Sequence, residues 1–158
     1  MKLYIKQKVF SWRDKFSIVD ELGNDQYHAE SEGFSFGKRL HLTDMSGNEL
    51  AYIYEKFMSF FPRYYISQYG QTVAEVVKEF SFFKPKYRID GLGWRAEGDV
   101  FDHNYVLVDE KGFTVATVSK AWLSWGDAYE IDIAEVADPV ITLAVVLIID
   151  ALLESQNN

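Results

Sequence analysis

The sequence predicts an all-β protein with one helix: a closed, roughly twelve-stranded antiparallel β-barrel around a buried C-terminal α-helix. Three observations carry this. Asp138 to Glu154, DPVITLAVVLIIDALLE, is the one long apolar run. The stretch from Lys2 to Glu135 has no helical period and reads as short alternating runs punctuated by Gly, Asn and Asp, the pattern of an all-β chain. A set of six residues also recurs three times at one spacing: Gly47, Ala51, Ile53, Phe57, Tyr64, Ile66; then Gly70, Ala74, Val76, Phe80, Tyr87, Ile89; then Gly112, Ala116, Val118, Trp122, Tyr129, Ile131. Each unit reads as turn, strand, connection, strand, with Tyr and Ile two apart on one strand face.

The apolar run is a helix by its start and its length. Asp138 is an N-cap whose carboxylate accepts from the first free N–H groups, and Pro139 sits at the first helical position, where a missing donor costs nothing. From Val140 to Leu153 only Thr142 and Asp150 are polar, so no face is left for water. A buried strand runs about four to eight residues and a membrane-spanning helix needs about 20 apolar ones; a helix over about 139–154 falls between and must be enclosed. Asp150 is its odd residue. Inside a barrel a bare carboxylate is costly, so it must pair with a cation, accept hydrogen bonds, stay protonated or face an open barrel end, the last being the least exotic reading.

Ahead of the helix the strands fall at roughly 2–10, 16–20, 26–31, 34–43, 49–57, 63–69, 72–80, 86–90, 94–99, 103–109, 113–121 and 127–134. Gly23-Asn24, Ser46-Gly47-Asn48, Tyr69-Gly70 and Lys111-Gly112 supply residues that tolerate positive φ between them. Sheet units of this kind expose edges and an apolar face unless something closes them. A barrel with the helix through its middle buries the helix all round and removes the edges, whereas a solenoid leaves the helix half covered. No linker divides the chain, so residues 1–158 read as a single domain with a short polar tail at 155–158.

Composition narrows the function classes. The 158 residues hold no cysteine, which excludes disulfides and thiolate metal sites and fits a reducing compartment. MKLYIKQKVF alternates charge with apolar residues and does not read as a signal peptide, so the expected location is cytoplasmic. The formal net charge of −8 argues against a binder that rests on neutralising nucleic-acid phosphates. The positive places are local. If Tyr87 and Ile89 point inward, then Lys84, Lys86 and Arg88 point outward together, and Arg63 holds in the previous repeat the position of Lys86. Lys2, Lys6 and Lys8 share the outer face of the first strand, opposite Leu3, Ile5 and Val9.

Motifs for catalysis are weak. GFSFG (33–37) matches G-x-S-x-G with His103 as a later base, yet it lies between two strands, where no strand-to-helix elbow presents the serine. His28, His41 and His103 have no second His at i+4, so they read as structural and no metal or cofactor is assigned.

The chain resembles, from Lys2 to Glu154, small bacterial members of the LURP-one-related family within the tubby-like superfamily. KQKVFSWRDKF (6–16), GNELAYI (47–53), FPRYYI (61–66), FKPKYRIDGLGWRAEGD (83–99) and SWGDAYEIDI (124–133), followed by the apolar helix, carry the resemblance. It implies a twelve-stranded barrel around a central C-terminal helix, in agreement with the strand count. The superfamily includes tubby domains, which bind phosphoinositide head groups, and phospholipid scramblases, for which calcium binding near the final strand and helix has been proposed. The acidic run Asp127, Glu130, Asp132, Glu135, Asp138 lies where that site falls, although its spacing is no EF-hand loop. The expectation is a non-enzymatic binding domain for anionic lipid head groups at a membrane surface or for a protein partner, through Arg63, Lys84, Lys86, Arg88, Lys6 and Lys8. The alternative is a small-ligand or calcium binder at a barrel end, or an enzyme without a motif.

Overall fold

The computed structural model describes residues 1–6, 15–32, 38–56, 60–79 and 84–156. Twelve strands precede one helix: β1 (Lys2–Lys6), β2 (Phe16–Val19), β3 (Asp25–Ser31), β4 (Arg39–Thr43), β5 (Glu49–Glu55), β6 (Arg63–Gln68), β7 (Gln71–Glu79), β8 (Lys86–Asp90), β9 (Trp94–Asp99), β10 (Asn104–Val108), β11 (Thr114–Leu123), β12 (Gly126–Ile133) and α1 (Pro139–Gln156). Each strand pairs antiparallel with its neighbours in sequence, and β1 pairs β12 from Lys2↔Asp132 to Lys6↔Ala128, which closes the barrel. The outlying halves of two expected strands, 7–10 and 34–37, lie outside the described residues.

The repeat is the hairpin unit of this barrel. Ile53 lies opposite Ile66, Val76 opposite Ile89 and Val118 opposite Ile131, so the same two repeat positions meet across β5–β6, β7–β8 and β11–β12. All six are at most 1% exposed, and the repeat tyrosines Tyr64, Tyr87 and Tyr129 are buried beside them. Gly47 and Gly112 close identical turns. Asp44 and Asp109 each accept on Oδ1 from the N–H groups two and four residues on, at 2.9 Å; Asp20 does the same before Gly23. Gly70 closes a tighter turn in which Tyr69 and Gly70 have φ of 51° and 77°, the two-residue form whose twist suits a hairpin. Phe57 and Phe80 lie outside the described residues, and their counterpart Trp122 is on the surface.

Helix α1 threads the barrel. Asp138 Oδ1 accepts from the N–H groups of Val140 (2.8 Å) and Ile141 (3.2 Å), the expected cap. From Leu143 to Leu153 each residue except Asp150 is buried, Leu143, Leu147, Ile148 and Ile149 completely. Thr142, fully buried, donates its hydroxyl to Asp138 O at 2.7 Å, which satisfies the polar atom inside the helix. No described helix is long and apolar enough to cross a membrane.

Up-and-down connectivity gives the barrel two chemically different ends. At the entry end, where α1 begins, lie the turns 20–24, 44–48, 69–70, 91–93, 109–113 and 134–138. At the exit end, where α1 finishes, β1, β3, β5, β7, β9 and β11 stop and β2, β4, β6, β8, β10 and β12 start.

Candidate functional site

The outward-pointing cations expected on β6 and β8 form part of one row around the barrel wall. Register places Arg63 opposite Val77, Val77 opposite Arg88, and Arg88 opposite Arg95, from β6 to β9. Val77 is outside the main core yet 5% exposed, set between Arg63 and Arg88 by register. The row is charge-compensated. Arg63 Nη1 donates to Glu75 at 3.0 Å. Arg88 donates from Nε and Nη2 to Asp90 at 2.6 and 3.1 Å and from Nη1 to Glu79 at 2.8 Å; these bonds hold the guanidinium protonated and bring the Asp90 carboxyl below its usual range against the opposing effect of burial. Arg95 Nε donates to Glu97 at 2.7 Å. Arg88, one of the residues expected to bind a ligand, is thus held between Asp90 and Glu79.

Lys84 and Lys86 stand exposed at the mouth of a groove between β8 and β9. Lys6 is exposed at the last position of β1, while Lys8 lies outside the described residues. Strand order separates the β1 and β8 cations: β12, β11, β10 and β9 lie between them on the shorter path. They do not form one strand-face patch. What they share is an end, since Lys6 finishes β1 while Arg63 and Lys86 begin β6 and β8.

That end is distinct in composition. The described connections at the exit end carry Lys15, Lys38, Lys56 and Lys84 against Glu32 and Asp102, and both carboxylates are occupied, Glu32 by His41 at 2.7 Å and Asp102 by Lys120 at 2.6 Å. Large apolar side chains stand out from the same end: Phe60 is 93% exposed, Trp122 83% and Phe101 54%. The Phe61 ring packs edge-on to Phe60 with centroids 5.0 Å apart. Trp125 turns back over β1 and β2, donating Nε1–H to Glu21 O at 3.4 Å beneath the Lys6 ammonium, which lies 5.3 Å from its ring. The entry-end turns differ in charge, carrying Asp20 and Glu21, then Asp44, then Asp109 and Glu110, then Glu135 and Asp138, with Lys111 as the cation among them, while they too expose apolar side chains at Leu22, Met45, Tyr69, Phe113 and Val136.

The titratable groups that sequence reading singled out are mostly structural. Asp150 pairs with His103, whose Nε2 lies 2.8 Å from Oδ1, so the carboxylate has a partner as well as a place near the barrel end. The cavity against the pair, lined also by Tyr105 and Tyr129, is about 10 Å³, room for about one water and none for a metabolite. Within the acidic run, Glu130 accepts from the Tyr4 hydroxyl at 2.8 Å and lies 3.7 Å from Lys2 Nζ, while Asp138 caps α1. Among the described residues no group of three or more His, Asp or Glu is placed to hold a metal ion. GFSFG lies outside them.

The LURP-one-related family profile matches residues 1–150. The chain belongs to the LURP-one-related family. It is 42% identical to the uncharacterized protein YxjI of Bacillus subtilis (strain 168) over 158 residues, covering all of this chain and 97% of the relative. A protein of Arabidopsis thaliana with a known X-ray structure superposes with a TM-score of 0.71 at 18% identity, over 96% of this chain and 90% of that one, a likeness of fold alone. For this LURP-one-related chain, the site feature that sequence reading missed is Arg95: no alternation in RAEGD marks it, and it joins Arg63 and Arg88 through the register of four strands.

Proposed function

We propose that this LURP-one-related protein is a non-catalytic binding domain that docks the exit end of its barrel onto an anionic membrane surface. The carrying observation is segregation of charge among the connections: Lys15, Lys56 and Lys84, with Lys6 and Lys86 on the adjoining strand ends, stand at the end from which Phe60, Phe101 and Trp122 project, while the carboxylate-rich turns are at the opposite end, where Tyr69 and Phe113 are also exposed. Exposed aromatic rings settle at the headgroup level of a bilayer, and each ammonium near an anionic leaflet contributes about 1 kcal/mol that decays within a Debye length. The charge asymmetry also orients the molecule, because the acidic end is repelled from the surface that attracts the basic one. Arg63 and Arg88, tied to Glu75, Glu79 and Asp90, set the wall behind the contact; Lys6, Lys84 and Lys86 from the expected set make it.

Sedimentation with neutral and anionic liposomes tests the reading. The parent binds anionic vesicles, less so as salt rises. Lys84→Gln/Lys86→Gln weakens binding by up to about thirtyfold at low salt, as expected for two ammonium groups at about 1 kcal/mol each. Phe60→Ser/Trp122→Ser abolishes the residual binding at physiological salt. Absence of binding to anionic vesicles at low salt rejects the proposal.

A further inference from the structure

The barrel wall has an open seam. β8 is paired along its length with β7, from Glu79↔Lys86 to Glu75↔Asp90, and β9 along its length with β10, from Asn104↔Asp99 to Val108↔Arg95. Between β8 and β9, by contrast, the ladder consists of Arg88↔Arg95 and Ile89↔Trp94 beside the turn, and stops there. Among the described residues, no strand is paired with the β8-facing edge of β9 from Ala96 to Asp99, although Tyr87 and Lys86 continue on the other side. Gly98, with a φ of 115°, lies close against β10 here: a Cβ there would stand 2.9 Å from Asn104 O and 3.0 Å from the Cα of Tyr105. The other thinly paired seam, β1–β2 at Tyr4↔Val19, is filled from outside by a cluster of Tyr4, Val19, Ala128, Leu123 and Trp125. The β8–β9 seam is a groove instead, with Tyr87, Pro85 and Ala96 for its apolar parts and Lys84, Lys86, Arg88 and Arg95 against Glu79 and Glu97 for its charges.

We propose that this seam docks an extended acidic segment of a partner protein, which adds itself as a short strand to the open edge of β9 between Ala96 and Asp99. Unpaired strand edges are templates for such addition: backbone hydrogen bonds hold the segment, and alternate side chains select it. Selection here is by charge. Side chains on one face of a strand recur about every 6.5 to 7 Å, so alternating carboxylates can address Lys86 and Lys84 in turn and pass Glu79 and Glu97. A compact polyanion is served less well, because Arg88 and Arg95 already hold Asp90, Glu79 and Glu97 and two of those carboxylates line the groove.

A displayed library of random decapeptides, selected on the full-length protein, supplies the probe. Peptides rich in alternating Asp or Glu are expected to enrich. Binding of a synthetic copy should slow amide exchange at Ala96–Asp99, weaken about tenfold or more with Lys86→Glu, and vanish when alternate peptide nitrogens are methylated. No enrichment, enrichment without acidic residues, or protection elsewhere overturns the assignment. So does a methylated peptide that binds equally, or displacement by millimolar pyrophosphate, either of which makes the seam a plain anion site. Phe60→Ser/Trp122→Ser, the membrane-docking variant, should keep the peptide affinity. Loss of peptide binding there shows that the peptide reads the barrel end and overturns the seam.

Discussion

His103 Nε2 lies 2.8 Å from Asp150 Oδ1 across 47 residues of chain, which fastens the β9–β10 turn to the last turns of the central helix. The imidazole also stacks on Tyr129, with ring centroids 4.1 Å apart and planes at 15°. His103 holds this position with a φ of 52°, in the left-handed region that few non-glycine residues occupy. Burial pushes the phenol of neighbouring Tyr105 well above its ordinary value, and the negative charge of Asp150 adds to the shift.

The pair should be energetically coupled. Removing either partner leaves a half-buried polar group unsatisfied, at about 1 to 3 kcal/mol. In a double-mutant cycle by urea unfolding, His103→Ala and Asp150→Ala should be non-additive by about 0.5 kcal/mol or more. Additive costs would show that the contact holds nothing together.

Turn glycines separate into two classes. Gly47, Gly70 and Gly112 have φ of 84°, 77° and 81°, and a Cβ would meet nothing within 4 Å. Alanine at each should cost about 1 kcal/mol, the left-handed backbone penalty alone. Gly91 combines a φ of 92° with a Cβ position 2.8 Å from Val73 O, so Gly91→Ala must move backbone as well and should destabilise by clearly more. Equal melting of all four variants with the parent removes the turn assignment.

The helix is the inner wall of the core. Leu147→Ala, at a fully buried position, should lower unfolding free energy by about 2 to 5 kcal/mol. Deleting Pro139 to Asn158 should leave an aggregated or molten chain, since inward residues from all around the barrel lose their partner. A truncated barrel that stays soluble and unfolds cooperatively would refute the central-helix architecture as the source of stability.

Much of the fold was legible because it is local in sequence. Alternation over four to ten residues announces strands, Gly at fixed offsets announces turns, and an apolar run without a polar face can only be enclosed. The thirteen elements follow in the expected order, and the repeat pairs Ile53 and Ile66, Val76 and Ile89, Val118 and Ile131 lie directly opposite one another. The Asp residues that organise the turns at 20, 44 and 109 are equally visible, each standing three residues before a Gly.

The candidate site was less legible, since chemistry there depends on what tertiary structure brings together. Alternation sent Lys86 and Arg88 outward, but only the pairing of β7 with β8 brings Glu79 to Arg88, beside Asp90 of the same strand. Asp150 found its partner in His103 for the same reason: 47 residues of chain carry no pairwise signal.

By itself, then, the sequence determined the element types, their count, the inward face of the first strand and of the strands that carry the repeat, and the enclosure of the helix, all set by residue periodicity and turn chemistry within a few positions. Tertiary structure alone decided strand register, the thinly paired β8–β9 seam, and the gathering of ammonium groups from separate connections at one end. The physical reason is that an up-and-down barrel sends every second connection to the same end. Residues far apart in sequence become neighbours through closure of the sheet, and only then do their charges and apolar surfaces act as one.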